Sequence, residues 1–198
     1  MLSCKGEIEG AIGALGRGLD LSNRWSFRGW RIRLVSALGL AYARWGRVEK
    51  GLELAGQAVS DGDKMRLIAD KPRLLVRLGL ASLMAREIEP ALALGRQAAA
   101  LAAAHEAKGE EAWARFLIGR AHGASEQKDL DESEKELNSA LRLAMACDAR
   151  PLAAFCGTAL GRIYAARGDQ VRAKEFEAAA TATYRAVGMQ SIPLDPTR

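Results

Sequence analysis

Leu38-Gly39-Leu40-Ala41-Tyr42 recurs as Leu78-Gly79-Leu80-Ala81-Ser82, Ile118-Gly119-Arg120-Ala121-His122 and Leu160-Gly161-Arg162-Ile163-Tyr164, with the four glycines 40, 40 and 42 residues apart. A fixed period of this length marks an array whose units bury their apolar faces against one another. After each echo comes a turn and a second apolar-periodic segment: Gly46-Arg47 before Val48 to Val59, Arg86-Glu87 before Ile88 to Leu101, Lys128-Asp129 before Leu130 to Leu143, and Gly168-Asp169 before Val171 to Tyr184. Each unit reads as helix, tight turn, helix. A glycine inside a helix costs about 1 kcal/mol relative to alanine. Four at one phase therefore imply a partner helix pressed against the backbone there. The second helices carry small residues in register, at Gly51, Ala91, Ser133 and Ala173 and again at Ala58, Ala98, Ala140 and Ala180, as complementary contact points.

This pattern resembles the tetratricopeptide repeat (TPR) family, most closely at Leu38-Gly39 with Tyr42 and Leu160-Gly161 with Tyr164. Ser82 and His122 depart from the family's aromatic, and the period is longer than the family's usual one. The longer period resembles variant arrays at the C-terminal end of bacterial signalling ATPases, nucleotide cyclases and transcription regulators. The stretch from Gly168-Asp169 to Tyr184-Arg185-Ala186-Val187-Gly188-Met189 is the most similar to them. The resemblance spans about residues 5 to 189 and implies an all-α, right-handed superhelical solenoid of antiparallel helix hairpins, with about nine helices.

The chain divides accordingly into 1–25, the orphan second helix of a truncated repeat plus a linker; 26–190, four hairpins; and 191–198, an extended tail with two prolines. The orphan second helix is expected to leave one apolar face uncovered, which invites homo-oligomerisation or an upstream partner. Asp70 before Pro72 and Asp148 before Pro151 are predicted helix caps. Between Arg17 and Lys50, Phe27, Trp30, Leu34, Leu38, Ala41 and Trp45 form an i, i+3, i+4 stripe predicted to be a core face with arginines as its solvated flank. The acids of Glu126 to Glu136 are predicted to lie on an exposed helix surface.

Composition narrows the function. The 198 residues are 49% apolar and 27% charged, within the range of globular chains. No apolar run approaches the length of a membrane span, and the N-terminus lacks the uninterrupted apolar core of a signal peptide, so a cytoplasmic, membrane-free protein is expected. Three cysteines without a CxxC pair argue for buried thiols over a disulfide framework or structural zinc. His105-Glu106 lacks the second histidine of a zinc-protease motif, and Gly10, Gly13, Gly16 and Gly18 lack the Lys-Ser/Thr of a phosphate loop. With two histidines in the chain, neither a triad nor a metal or other cofactor is expected, and the chain is read as a non-enzyme.

First helices of such arrays line the concave face, at the positions one after, three before and six before each glycine. That phase selects Arg33, Ser36 and Leu40; Arg73, Val76 and Leu80; Trp113, Phe116 and Arg120; and Phe155, Thr158 and Arg162. The expected ligand is an acidic, partly apolar peptide or helix, with Trp113, Phe116 and Phe155 as anchors and Arg33, Arg73, Arg120 and Arg162 as carboxylate partners. Val76, Leu80 and Leu40 stand where the family's chaperone-tail clamp needs polar groups, which disfavours that ligand. The alternative is RNA or DNA bound through the aromatic and basic residues between Arg24 and Arg33; the core reading of those aromatics makes nucleic acid the weaker expectation.

Overall fold

The computed structural model describes residues 8–125 and 129–189. Among these, nine α-helices follow one another: α1 (Ile8–Arg24), α2 (Arg28–Arg44), α3 (Val48–Lys64), α4 (Lys71–Met84), α5 (Ile88–Ala104), α6 (Lys108–Ala124), α7 (Leu130–Ala146), α8 (Arg150–Ala166) and α9 (Gln170–Ala186). The tail predicted from 191 onward lies outside the described residues. Each helix packs on the next in sequence, and α2, α4, α6 and α8 also touch in succession. The result is a solenoid of antiparallel hairpins with those four helices along one face.

The forty-residue period has a mechanical origin. Helices of 17 residues alternate with three-residue turns, and α4, of 14 residues, is completed by the 3-10 turn Ile68–Asp70 that precedes it. Two helices and two such turns consume forty residues. The connection from α6 to α7 is two residues longer, which accounts for the spacing of 42 between Gly119 and Gly161.

Left-handed residues recur at the middle of the turns: Ser26, Gly46, Arg66, Arg86, Glu106, Asp148, Gly168 and Gly188, with φ from 50 to 83°. After α2, the Gly46 N–H donates to the Ala43 carbonyl at 3.1 Å and the Arg47 N–H to the Tyr42 carbonyl at 2.9 Å, while the Arg47 carbonyl accepts from Gly51 and opens α3. One residue thus satisfies the end of one helix and the start of the next. Where the left-handed residue is not glycine, its Cβ costs on the order of 1 kcal/mol. Arg86→Gly, on the exposed turn after α4, is therefore expected to raise the unfolding free energy by about 0.5 kcal/mol. Urea denaturation checks this, and an unchanged or lower midpoint would show that the turn carries no strain.

The glycine series is explained by the packing. A methyl on Gly39 would lie 2.8 Å from the Gly51 carbonyl oxygen, one on Gly119 3.0 Å from that of Ser133, and one on Gly161 3.2 Å from that of Ala173. At Gly79 the Ala91 carbonyl is 3.5 Å away and the Leu117 side chain is the tighter neighbour. The first series of small residues on the second helices therefore provides the opposing backbone. The second series, Ala58, Ala98, Ala140 and Ala180, is buried to the last few per cent.

Several expectations are corrected. Phe27 and Trp30 are 57% and 60% exposed, and Trp45 is also exposed, so the aromatic members of the stripe lie off the core face of α2, while its Leu38 and Ala41 are buried on it. The larger side chains of that face are Ile32, Val35 and Leu38, with Ala41 beside them, because apolar residues and arginines alternate around α2 and its periodicity selects no side. Arg33 stacks on Trp30 at 4.9 Å and Arg47 on Trp45 at 4.7 Å. Asp70 and Asp148 do not cap: Asp70 occupies the N-cap of α4 but its carboxylate accepts from Arg33, and Asp148 sits in the left-handed turn and pairs with Arg150. Capping carboxylates are found instead at Asp129 and Asp169, which accept from the Glu132 and Arg172 amides at 3.0 and 3.1 Å.

The acidic start of α7 is not merely solvated: Glu136 is buried against Arg115 at 3.1 Å, and Glu134 accepts from Tyr164 of α8 and from Arg167 just after it. The Tyr164 hydroxyl, before the arginine, holds the Glu134 carboxyl below its ordinary pKa. Glu126 lies outside the described residues. Of the thiols, Cys156 is buried and its pKa is pushed up to about 12 by desolvation, whereas Cys147 is exposed; Cys4 lies outside the described residues.

Candidate binding groove

The face formed by the first helices carries a cavity of about 640 Å³ whose walls come from α1, α2, α4, α6 and α8. Of the twelve positions selected from the sequence, eight line it: Leu40, Arg73, Val76, Leu80, Trp113, Phe116, Arg120 and Phe155. Their contributions differ. Phe116 and Phe155 are 2% and 3% exposed and form the floor, while Trp113 is partly exposed and stands over them. The Trp113 ring meets Phe116 edge-on at 5.8 Å and Phe155 at 6.0 Å, and Phe155 continues to Tyr184 at 6.0 Å. Trp113 is therefore the aromatic with surface left to offer a ligand, held by rings already buried.

Four positions are not brought to the cavity. Ser36 is fully buried, its hydroxyl without a hydrogen-bond partner among the described residues. At the same phase Val76 and Phe116 are nearly buried yet still reach the cavity, whereas at α2 the position is wholly occluded. Arg33 is turned outward, pairing with Asp70 at 2.9 Å and covering Trp30. Thr158 donates back to the Ala154 carbonyl at 3.0 Å and meets the Tyr184 hydroxyl at 3.2 Å. Arg162 is exposed beyond the cavity, because Phe155 is the part of α8 that reaches it.

Residues outside the chosen phase complete the walls. Ala11, Ala14 and Leu15 of α1 close one side, and Ala37, Arg44, Arg77 and Met84 extend the stripes of α2 and α4. Continuing by i+4 from Arg33 to Ala37, and from Arg73 to Arg77, would have found two of these. Among the described residues the wall carries Arg44, Arg73, Arg77 and Arg120 and one acid, Glu110. Arg73 donates to Glu110 through Nε at 2.9 Å and also through Nη2, and this hydrogen bond, ahead of the opposing cost of burial, raises the Arg73 pKa. A mainly apolar trough with an aromatic plate and an excess of guanidinium groups can hold a segment that combines apolar and acidic side chains.

Among the described residues no group of three or more histidine, cysteine or acidic side chains could hold a metal ion, and no helix is long and apolar enough to cross a membrane. His122 is packed at the end of α6, its Nδ1 4.0 Å from an Asp129 oxygen.

No protein-family model and no curated protein matches the chain. Solved structures do. TPR-like repeats described as those of a Podosopora anserina kinesin light chain are similar over 92% of this chain and 89% of theirs, at 19% identity and a TM-score of 0.59. BtubC (BKLC) from P. vanneervenii is similar over 96% of this chain and 95% of its own, at 16% identity and a TM-score of 0.62. MamA is similar over 94% of each chain, at 16% identity and a TM-score of 0.52. At these identities the likeness concerns the fold: the chain is an all-α, TPR-like helical repeat.

Proposed function

We propose that the chain is a protein-interaction module whose concave groove holds an acidic, partly apolar peptide or helix of a partner. The observation that carries this reading is the groove wall itself, where the partly exposed Trp113 shares the lining with Arg73 and Arg77, and Glu110 is the one acid among the described lining residues. Tryptophan and arginine are the side chains that most often dominate binding energy. The forty-residue period and the closing segment from Gly168 to Met189 support its place as a regulatory array of a larger bacterial signalling or transcription-regulatory protein.

The test is a calorimetric titration with a synthetic amphipathic peptide of glutamate and leucine and with its lysine counterpart. The acidic peptide is expected to bind, the lysine peptide not, and Trp113→Ala to weaken binding by about tenfold. Equal binding of both peptides would count against the reading. A second reading, nucleic acid, is favoured by the exposed Trp25, Phe27 and Trp30 among arginines. It requires single-stranded oligonucleotides to bind with an affinity that falls steeply with salt and that Trp30→Ala reduces.

A further inference from the structure

The charges around α4 fall into pairs with one left over. Arg33 is matched by Asp70 and Arg73 by Glu110. Arg77, on the same helix and in the groove wall, donates Nη1 to the Arg33 backbone carbonyl at 3.1 Å, and among the described residues no carboxylate lies within ion-pair distance of it. Burial, and then the neighbouring Arg73 charge, pull its pKa down to about 10, so it remains a cation at neutral pH while bearing the cost of lost water. A partly buried cation satisfied by one neutral carbonyl is an incomplete arrangement, and an incoming carboxylate would restore both the hydrogen bonds and the charge balance. Its planar fork suits a carboxylate in two-point contact.

We propose that Arg77 is the charged anchor of the groove, receiving a carboxylate of the partner peptide beside the Trp113 plate, and that Glu110 is a resident competitor for the same cluster. Glu110 holds Arg73 and contributes negative potential at Arg77, so the empty groove carries part of the charge its ligand would bring. The partner this selects is a segment with an acidic residue flanked by apolar ones. The inference rests on the groove reading above, and it adds a specific contact at a residue that the repeat phase did not select.

The experiment uses fluorescence anisotropy with the labelled peptide ELLEELFELL and its neutral counterpart QLLQQLFQLL, against wild type, Arg77→Gln, Arg77→Lys, Glu110→Gln and Trp113→Ala. Arg77→Gln is expected to weaken the acidic peptide about tenfold or more while leaving the neutral one unchanged or tighter; Arg77→Lys should recover part of the loss, and Glu110→Gln should tighten the acidic peptide several-fold. If Trp113→Ala weakens binding and Arg77→Gln does not, the groove stands and the anchor is wrong. If wild type binds neither peptide, or Trp113→Ala has no effect, the groove reading fails and the anchor with it. Should Arg77→Gln fail to fold, Glu110→Gln decides: unchanged or weaker acidic binding overturns the proposal.

Discussion

Gly39→Ala is expected to lower the unfolding free energy by about 3 kcal/mol, a large share of what a domain of this size has to lose. The added methyl would stand 2.7 Å from the Ala55 amide nitrogen and 2.8 Å from the Gly51 carbonyl oxygen, and both are backbone atoms of α3. No side-chain rotation relieves the clash, so the α2–α3 hairpin must open. Its partner is equally confined, since a methyl on Gly51 would lie 2.7 Å from both the Ala43 amide and the Gly39 carbonyl oxygen. The comparison is Gly56→Ala in the same hairpin, where nothing lies within 4 Å of the new atom and helix propensity predicts a gain of up to about 1 kcal/mol. Urea denaturation of the two variants separates close packing from propensity. Similar midpoints for both would show that the backbones do not meet as described.

Leu117→Ala is expected to cost about 3 kcal/mol, because the side chain is fully buried and packs over two glycines at once. A methyl on Gly79 would clash with its Cδ2, and one on Gly95 would meet its Cγ at 3.4 Å. The restraint on Gly79 is thus mainly a side chain, where that on Gly39 is backbone. This difference makes the double variant informative: Gly79→Ala alone should destabilise, but in the Leu117→Ala background the methyl enters vacated space. The pair should cost less than the sum of the singles by about 1 kcal/mol or more, read from a double-mutant cycle in urea. Strict additivity would contradict the packing.

The same contrast explains what could be read in advance. The glycine echo disclosed the hairpins, their order and their opposing small residues because backbone contact leaves a periodic trace. The turns were legible at Gly46, Gly168 and Gly188, but not at Arg66 or Glu106, where an ordinary residue adopts the left-handed conformation. The outward aromatics of α2 are not legible because apolar residues and arginines are mixed around that helix, and tertiary neighbours select the buried face. Arg33 fits the groove phase by position, yet Asp70 and Trp30 draw it away. Arg77 lies one i+4 step from Arg73, so its place on the groove wall was within reach of the helix pattern; its lack of a carboxylate partner depends on how its neighbours pair and was not.

These features bear on function through rigidity. The aromatic chain Trp113, Phe116, Phe155 and Tyr184 ties three helices together behind the groove. A ligand meeting Trp113 would therefore find a plate whose ordering cost was met on folding.

The most direct measurement of the central claim uses Trp113 as its own reporter. The chain has four tryptophans, and with Trp25, Trp30 and Trp45 each replaced by phenylalanine, the remaining emission comes from the groove. On titration with ELLEELFELL the emission is expected to shift and saturate, with the same midpoint as anisotropy of the labelled peptide, and QLLQQLFQLL to produce the shift only at about tenfold or more higher concentration. Saturable binding by anisotropy with no change in Trp113 emission would place the peptide elsewhere on the array and contradict the account.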